Sequence, residues 1–248
     1  MIEVFIIVAV IFFIAVLFYK QANEQFDILQ LTGDRIEELP TLYAERSPIV
    51  VSGYPSPGLG NETELRKRTG TLQMVVGKTK DSPTLRALLD NPAALARFQF
   101  PLATAEFLGQ ETGLSVWFQH HLYEQLLPSQ YTKWFYSART SLWLGGRGMF
   151  RTTAFQTLIM PTQGKARVSL MLTGMLPYLP TRWEGRQFAS LGPQDTPLLS
   201  QIKFIEVVLR PGNLLLLPPH MIVDIASSDA GQAWCFVAEI HHPISKLA

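Results

Sequence analysis

"VVLRPGNLLLLPPHMIVDIA", residues 207–226, is the stretch whose reading decides the fold. Pro211-Gly212 suits a type II turn, because proline fixes the first central φ and glycine accepts the positive second one. Leu214 to Leu217 form a continuous apolar run of the kind that fills a buried strand, and Pro218-Pro219 then end ladder pairing and turn the chain. Apolar residues resume at Met221. The stretch therefore predicts a β-hairpin.

Working outward, strand-like runs separated by Gly and Pro fill the second half of the chain: "TSLWLGGRG", "TTAFQTLIMP", "KARVSLMLTG", "KFIEVVLRPG" and "QAWCFVAEIHHP". Short strands with turn signals between them indicate an antiparallel sandwich or barrel rather than a doubly wound sheet. The first half reads differently. A β run is expected at Pro48–Val51, then helices over "DSPTLRALLDNPAALARFQ", with Ser82 as N-cap and Pro83 in the first turn, and over "LATAEFLGQETG". An aromatic-rich helix pair follows, hinged at Pro128 and carrying Trp117, Phe118, Tyr123, Tyr131 and Trp134. The expected class is α+β, with helices flanking a β core.

Composition narrows the function. The chain has 248 residues, 47% of them hydrophobic, which suffices for one sizeable packed domain. Its 21 Lys+Arg balance 20 Asp+Glu, so no global field gathers nucleic acid. The one cysteine, Cys235, excludes a disulfide framework and favours a reducing compartment. The triplet Asn61-Glu62-Thr63 fits a glycosylation acceptor pattern that is common by chance.

The first twenty residues carry the strongest local signal. "MIEVFIIVAVIFFIAVLFYK" has no charge from Val4 to Tyr19 and no polar face, and the expectation is an uncleaved transmembrane anchor over residues 1–20. A membrane-proximal linker or helix is expected over 21–39 and the folded body over 40–248, with Lys20 placing that body on the cytoplasmic side. The bilayer would then be one partner of the chain.

The order of several phrases resembles the cupin-like, JmjC-type domains of Fe(II)- and 2-oxoglutarate-dependent oxygenases. "AERSPIVVSGYP" is similar to the family's early strand, "SLWLGGRG" to the strand leading into the metal motif, "QGKARVSLM" to the following strand, and "VVLRPGNLLLLPPHMIVDI" to the last metal-bearing segment. The likeness covers most of residues 40–245 and implies a double-stranded β-helix, or jelly roll. It also implies where the metal ligands, two histidines and a carboxylate on one face, should lie. The first pair falls on Ala154 and Gln156, and the last histidine on Val223. Methyl and isopropyl groups cannot coordinate iron, and "GMFRTTAFQTLIMPTQG" contains no His, Asp or Glu to which the pair could slip. His220 is the alternative ligand, and Lys165 stands where family members grip the 2-oxoglutarate carboxylate.

The resemblance extends to anchored cupin-like proteins of large DNA viruses, which implies a catalytically silent module joining a membrane to a capsid or other virion protein. Two alternatives stay open. One is a protein hydroxylase or demethylase using Fe(II), 2-oxoglutarate and atypical ligands such as His220. The other is a barrel that binds a small ligand in an open apolar pocket. A scaffold would close the former iron cavity with Ala154, Phe155 and Val223. Elsewhere the sequence offers little chemistry. His120-His121 and His241-His242 are adjacent pairs that cannot chelate as units, and Gly-x-Ser-x-Gly and phosphate-loop patterns are absent.

Overall fold

A computed structural model describes residues 2–20, 27–77, 82–127, 134–228, 233–243 and 245. The expected hinge at Pro128, Tyr131 and the first six residues of the expected linker lie outside the described residues. Among the described residues, ten strands form two sheets: β1 (Leu29–Thr32), β2 (Ile49–Ser52), β3 (Ser137–Leu144), β4 (Gly146–Arg151), β5 (Gln156–Gln163), β6 (Ala166–Leu172), β7 (Ile205–Leu209), β8 (Asn213–Leu217), β9 (Met221–Ser227) and β10 (Trp234–His241). The first sheet has the order β1-β2-β8-β5-β10-β3 and the second β4-β9-β6-β7. From β3 onward the chain crosses between the sheets at every connection except β6 to β7, which is the strand order of a jelly roll.

That order corrects the expected hairpin. β8 pairs with β2 and β5 in the first sheet, whereas β7 pairs with β6 and β9 with β4 and β6 in the second. The two turns are corners that carry the chain across the barrel. Their chemistry is as read: Asn213 N–H donates to Arg210 C=O at 2.9 Å with Gly212 at φ 94°, and Pro218-Pro219 lead into His220 at φ 65°. Turn residues specify a change of direction, not the partner of the strand that follows.

The same device joins β3 to β4. Gly145 and Gly146 have positive φ where the chain passes from the first sheet to the second, and a Cβ on Gly146 would stand 2.6 Å from the Ile225 carbonyl oxygen. Only glycine allows this approach.

Each sheet buries its outer face against a different cover. On the first, helices Leu102–Glu111 and Leu114–His121 lie across β3 and β10, with Phe118 5.8 Å from Phe236 and the Ser115 and Thr140 hydroxyls 2.7 Å apart. On the second, residues 173–202 form a long irregular excursion between β6 and β7. Its Leu179, Leu191 and Ile202 join Met149, Met171 and Ile222 in a separate apolar cluster. Met149 and Gly185–Arg186 exchange two backbone hydrogen bonds that tie the excursion to β4.

Three expectations about the first half change. Thr84, not Ser82, caps the helix Leu85–Leu89, its hydroxyl accepting from Ala87 N–H. Residues 29–39 belong to the folded body: β1 pairs in parallel with β2, and Leu31, Ile36 and Leu39 are buried. Their apolar side chains are spaced among charged ones, which made the segment read as linker.

The expected transmembrane anchor, and with it the single-pass topology and the cytoplasmic placement of the body, is also corrected. Residues Ile2–Lys20 are helical, but among the described residues no helix is long and apolar enough to cross a membrane. The charge-free run Val4–Tyr19 holds 16 residues. At 1.5 Å per residue it reaches about 24 Å, short of a hydrocarbon core of about 30 Å.

Candidate functional site

Strand alternation sorts the side chains of β10. Phe236 meets the helices outside the barrel, so Cys235, Val237 and Glu239 face the space between the sheets. Glu239 there meets Arg147 of β4, whose Nη1 donates to Glu239 Oε1 at 3.1 Å. The Arg147 guanidinium also lies 3.7 Å from the centre of the Phe150 ring and 5.0 Å from that of Trp143. Both partners of the ion pair are largely buried, with side-chain exposures of 14% and 17%. Burial pushes the Arg147 guanidinium down and Glu239 holds it up. Thr157, opposite Glu239 on β5, is fully buried and its hydroxyl lacks a hydrogen-bond partner.

Val223, where the resemblance puts a histidine, lies on β9 between Phe150 of β4 and Leu170 of β6 and is fully buried in the main core. Ala154 is buried in the turn between β4 and β5, while Phe155 beside it is half-buried. Gln156 opens β5 opposite Ile240, on the outer side of the first sheet. The three positions expected for metal ligands thus do not converge: Val223 belongs to the packed second sheet and Gln156 faces away from the barrel. Among the described residues no group of three His, Cys, Asp or Glu side chains could hold a metal ion. These residues do not fit Fe(II).

His220 and Lys165 are placed apart as well. His220 is buried in the corner after Pro219, where its N–H donates to Thr152 C=O at 2.8 Å and its Nδ1 lies 3.3 Å from Arg151 Nη2. Lys165 is exposed in the turn between β5 and β6. The eight residues of β5 separate that turn from Gln156, about 26 Å at 3.3 Å per residue. Lys165 thus stands at the opposite end of β5 from Gln156.

Gln156 instead belongs to a cavity that the sequence did not reveal. It is about 80 Å³ in volume, partly open, and bounded by Tyr43, Arg46, Ser47, Phe155, Leu217 and Pro218 among others. Gln156 is only 5% exposed, and its Oε1 has no hydrogen-bond partner; the Tyr43 hydroxyl lacks one too. Burial pushes the Tyr43 phenol far up, and Gln156 is close enough to pull it partly back, so the hydroxyl stays protonated. Two aromatic rings line it, those of Tyr43 and Phe155, 6.2 Å apart centre to centre, and Phe155 is also 5.4 Å from Tyr136 and 5.3 Å from His242, which lie outside the lining. Burial holds the His242 imidazole below its ordinary range. The signal available in sequence was the Pro-Pro corner and Phe155-Gln156; Tyr43 comes from a segment more than a hundred residues earlier, and no spacing pattern links them.

Comparison with known proteins adds little to this geometry. No family model matches the chain, and no curated protein, viral or other, matches it. Among solved structures, the chain is similar to hydroquinone 1,2-dioxygenase from Sphingomonas sp. TTNP3 with 4-hydroxybenzoate bound, at 18% identity and a TM-score of 0.29. The likeness covers 44% of this chain and 61% of that one, less than two thirds of the dioxygenase.

Proposed function

We propose that this chain is a catalytically silent jelly-roll domain that works by binding a protein partner. The observation that carries the reading is the interior at Val223. A fully buried isopropyl group packs between Phe150 and Leu170 where a ligand imidazole would be needed. The guanidinium of Arg147 on the Phe150 ring adds a positive charge to a region that would have to receive a dication. Partner binding is supported by the aromatic rings of Tyr43 and Phe155 at a partly open cavity, since aromatic side chains are favoured contact residues.

The test is turnover. The chain incubated with Fe(II), ascorbate, 2-oxoglutarate and oxygen is expected to form no succinate above an iron-only control. Succinate formed in proportion to protein, and lost on chelation, would establish the oxygenase alternative instead.

A further inference from the structure

The two edges of the second sheet are finished differently. On β4, the two backbone hydrogen bonds between Met149 and Gly185–Arg186 tie the excursion to the edge. β7 lies at the other end and pairs only with β6, from Leu209 opposite Ala166 to Ile205 opposite Leu170. Among the described residues, no backbone hydrogen bond beyond that pairing involves residues 205–209. A strand left this way presents a row of unpaired N–H and C=O groups, which proteins usually blunt with proline, lysine, a bulge or an overlying segment. The strand Ile205-Glu206-Val207-Val208-Leu209 has neither proline nor lysine, and its register with β6 runs without a shift. Three of its five residues are β-branched, which suits an extended chain. Its outer face is apolar at both Phe204 and Val208, which are 44% and 49% exposed, and Phe204 is steadied by Phe188, ring centres 4.9 Å apart.

We propose that β7 is a docking edge for a second copy of this chain, the two β7 strands pairing antiparallel about a twofold axis at Val207. The strand's own pattern selects this occupant. With Val207 on the axis, all five residues gain a partner and like faces meet. On the barrel side, where Val207 and Leu209 join the main core, Ile205 meets Leu209 of the second copy and Val207 meets its equivalent. On the outer side Glu206 meets Val208 of the second copy. Moving the axis to Glu206 would set two carboxylates directly opposite, and moving it to Val208 would pair only three residues of each strand. On the Val207 axis the two Glu206 side chains are diagonal neighbours, about 7–8 Å apart. Each keeps its own Arg167 at 3.8 Å. A five-residue edge falls short of the roughly 800 Å² per partner of a standard interface, so the dimer is a weak one, with a Kd of about 10–100 µM. The inference deepens the partner-binding half of the proposed function by naming the partner, and it rests on that half alone.

The experiment uses the full chain in sedimentation velocity from about 5 to 500 µM, where a reversible monomer–dimer equilibrium is expected. Val208→Glu puts a carboxylate opposite Glu206 of the second copy and is expected to weaken the dimer about tenfold, whereas Val208→Lys puts an ammonium there and is expected to tighten it about threefold. Register is read with cysteine. Under mild oxidation Val207→Cys is expected to give a disulfide-linked dimer, because residues opposite each other on the axis stand about 4.5–5.5 Å apart, while Glu206→Cys and Val208→Cys give none. The native Cys235 is buried and does not compete. Thermal melts check that each variant folds, and the Val208 pair decides alone if Val207→Cys does not. Association through the apolar helix Ile2–Lys20 would ignore the charge at position 208 and link nothing at 207, and that result overturns the proposal. Linking through 206 or 208 in preference to 207 overturns it as well. So does a chain that stays monomeric up to about 500 µM, which would leave the edge to a foreign strand. Such a failure without succinate formation leaves the silent barrel standing, whereas succinate formation ends that reading whatever β7 does.

Discussion

Arg147 and Glu239 are 92 positions apart and meet inside the barrel, and their pairing sets what each is worth. Removing one partner leaves the other charge poorly solvated. Arg147→Met is therefore expected to destabilise the fold by about 2–4 kcal/mol in chemical denaturation, and Arg147→Met with Glu239→Gln by clearly less. Equal losses in the two variants would show that packing of the guanidinium stem, not charge, dominates. Asp224 presents a different case. Its Oδ2 accepts from Phe188 N–H at 3.0 Å, its Oδ1 has no partner, and burial raises the carboxyl from 3.8 to about 6 against weaker pulls from Phe188 and Arg167. The folded state thus keeps a proton that the unfolded chain has released, so this stabilisation is full below pH 4 and is lost as pH rises through 6. Between pH 5 and pH 7 the wild type is expected to lose about 1 kcal/mol more than Asp224→Asn, measured by denaturant melts at both pH values.

At the scale of elements, the corners made the strands legible. Pro211-Gly212 and Pro218-Pro219 each mark a strand end, and the strand-like runs in the second half fall on β3 and on β5 to β10; β4 was missed, because "TSLWLGGRG" reads as one run across the corner at Gly145-Gly146. The destinations of those strands were not legible, because β2, β5 and β8 come from distant parts of the chain and their pairing depends on tertiary contacts. The excursion 173–202 escaped reading for a related reason. Its turns and short 3₁₀ segments show no period, and its apolar residues count only against the outer face of β4, β6 and β9. Gly148 fixes that attachment: it has φ 73°, and a Cβ there would stand 2.3 Å from the Gly185 carbonyl oxygen. Gly148→Ala is expected to cost about 2–3 kcal/mol and to raise amide exchange selectively at Met149 and Gly185. Uniform exchange with unchanged stability would refute that role.

For the whole molecule, burial in two layers holds together a barrel of this order. The two sheets enclose one apolar interior, helices cover the first sheet and the excursion covers the second, and burial in both clusters stabilises the fold. That Ala154 and Val223 carry no donor atom was readable from residue type alone. What fills the space was not, because neither Arg147 nor Tyr43 carries a local signal of its long-range partner. The central claim is that the barrel does not use iron. It is tested most directly by anaerobic titration of the full chain with Fe(II) or Mn(II), with and without 2-oxoglutarate, followed by metal analysis of the desalted protein. The account predicts no stoichiometric metal under either condition; one equivalent per chain, held more tightly with 2-oxoglutarate, would contradict it.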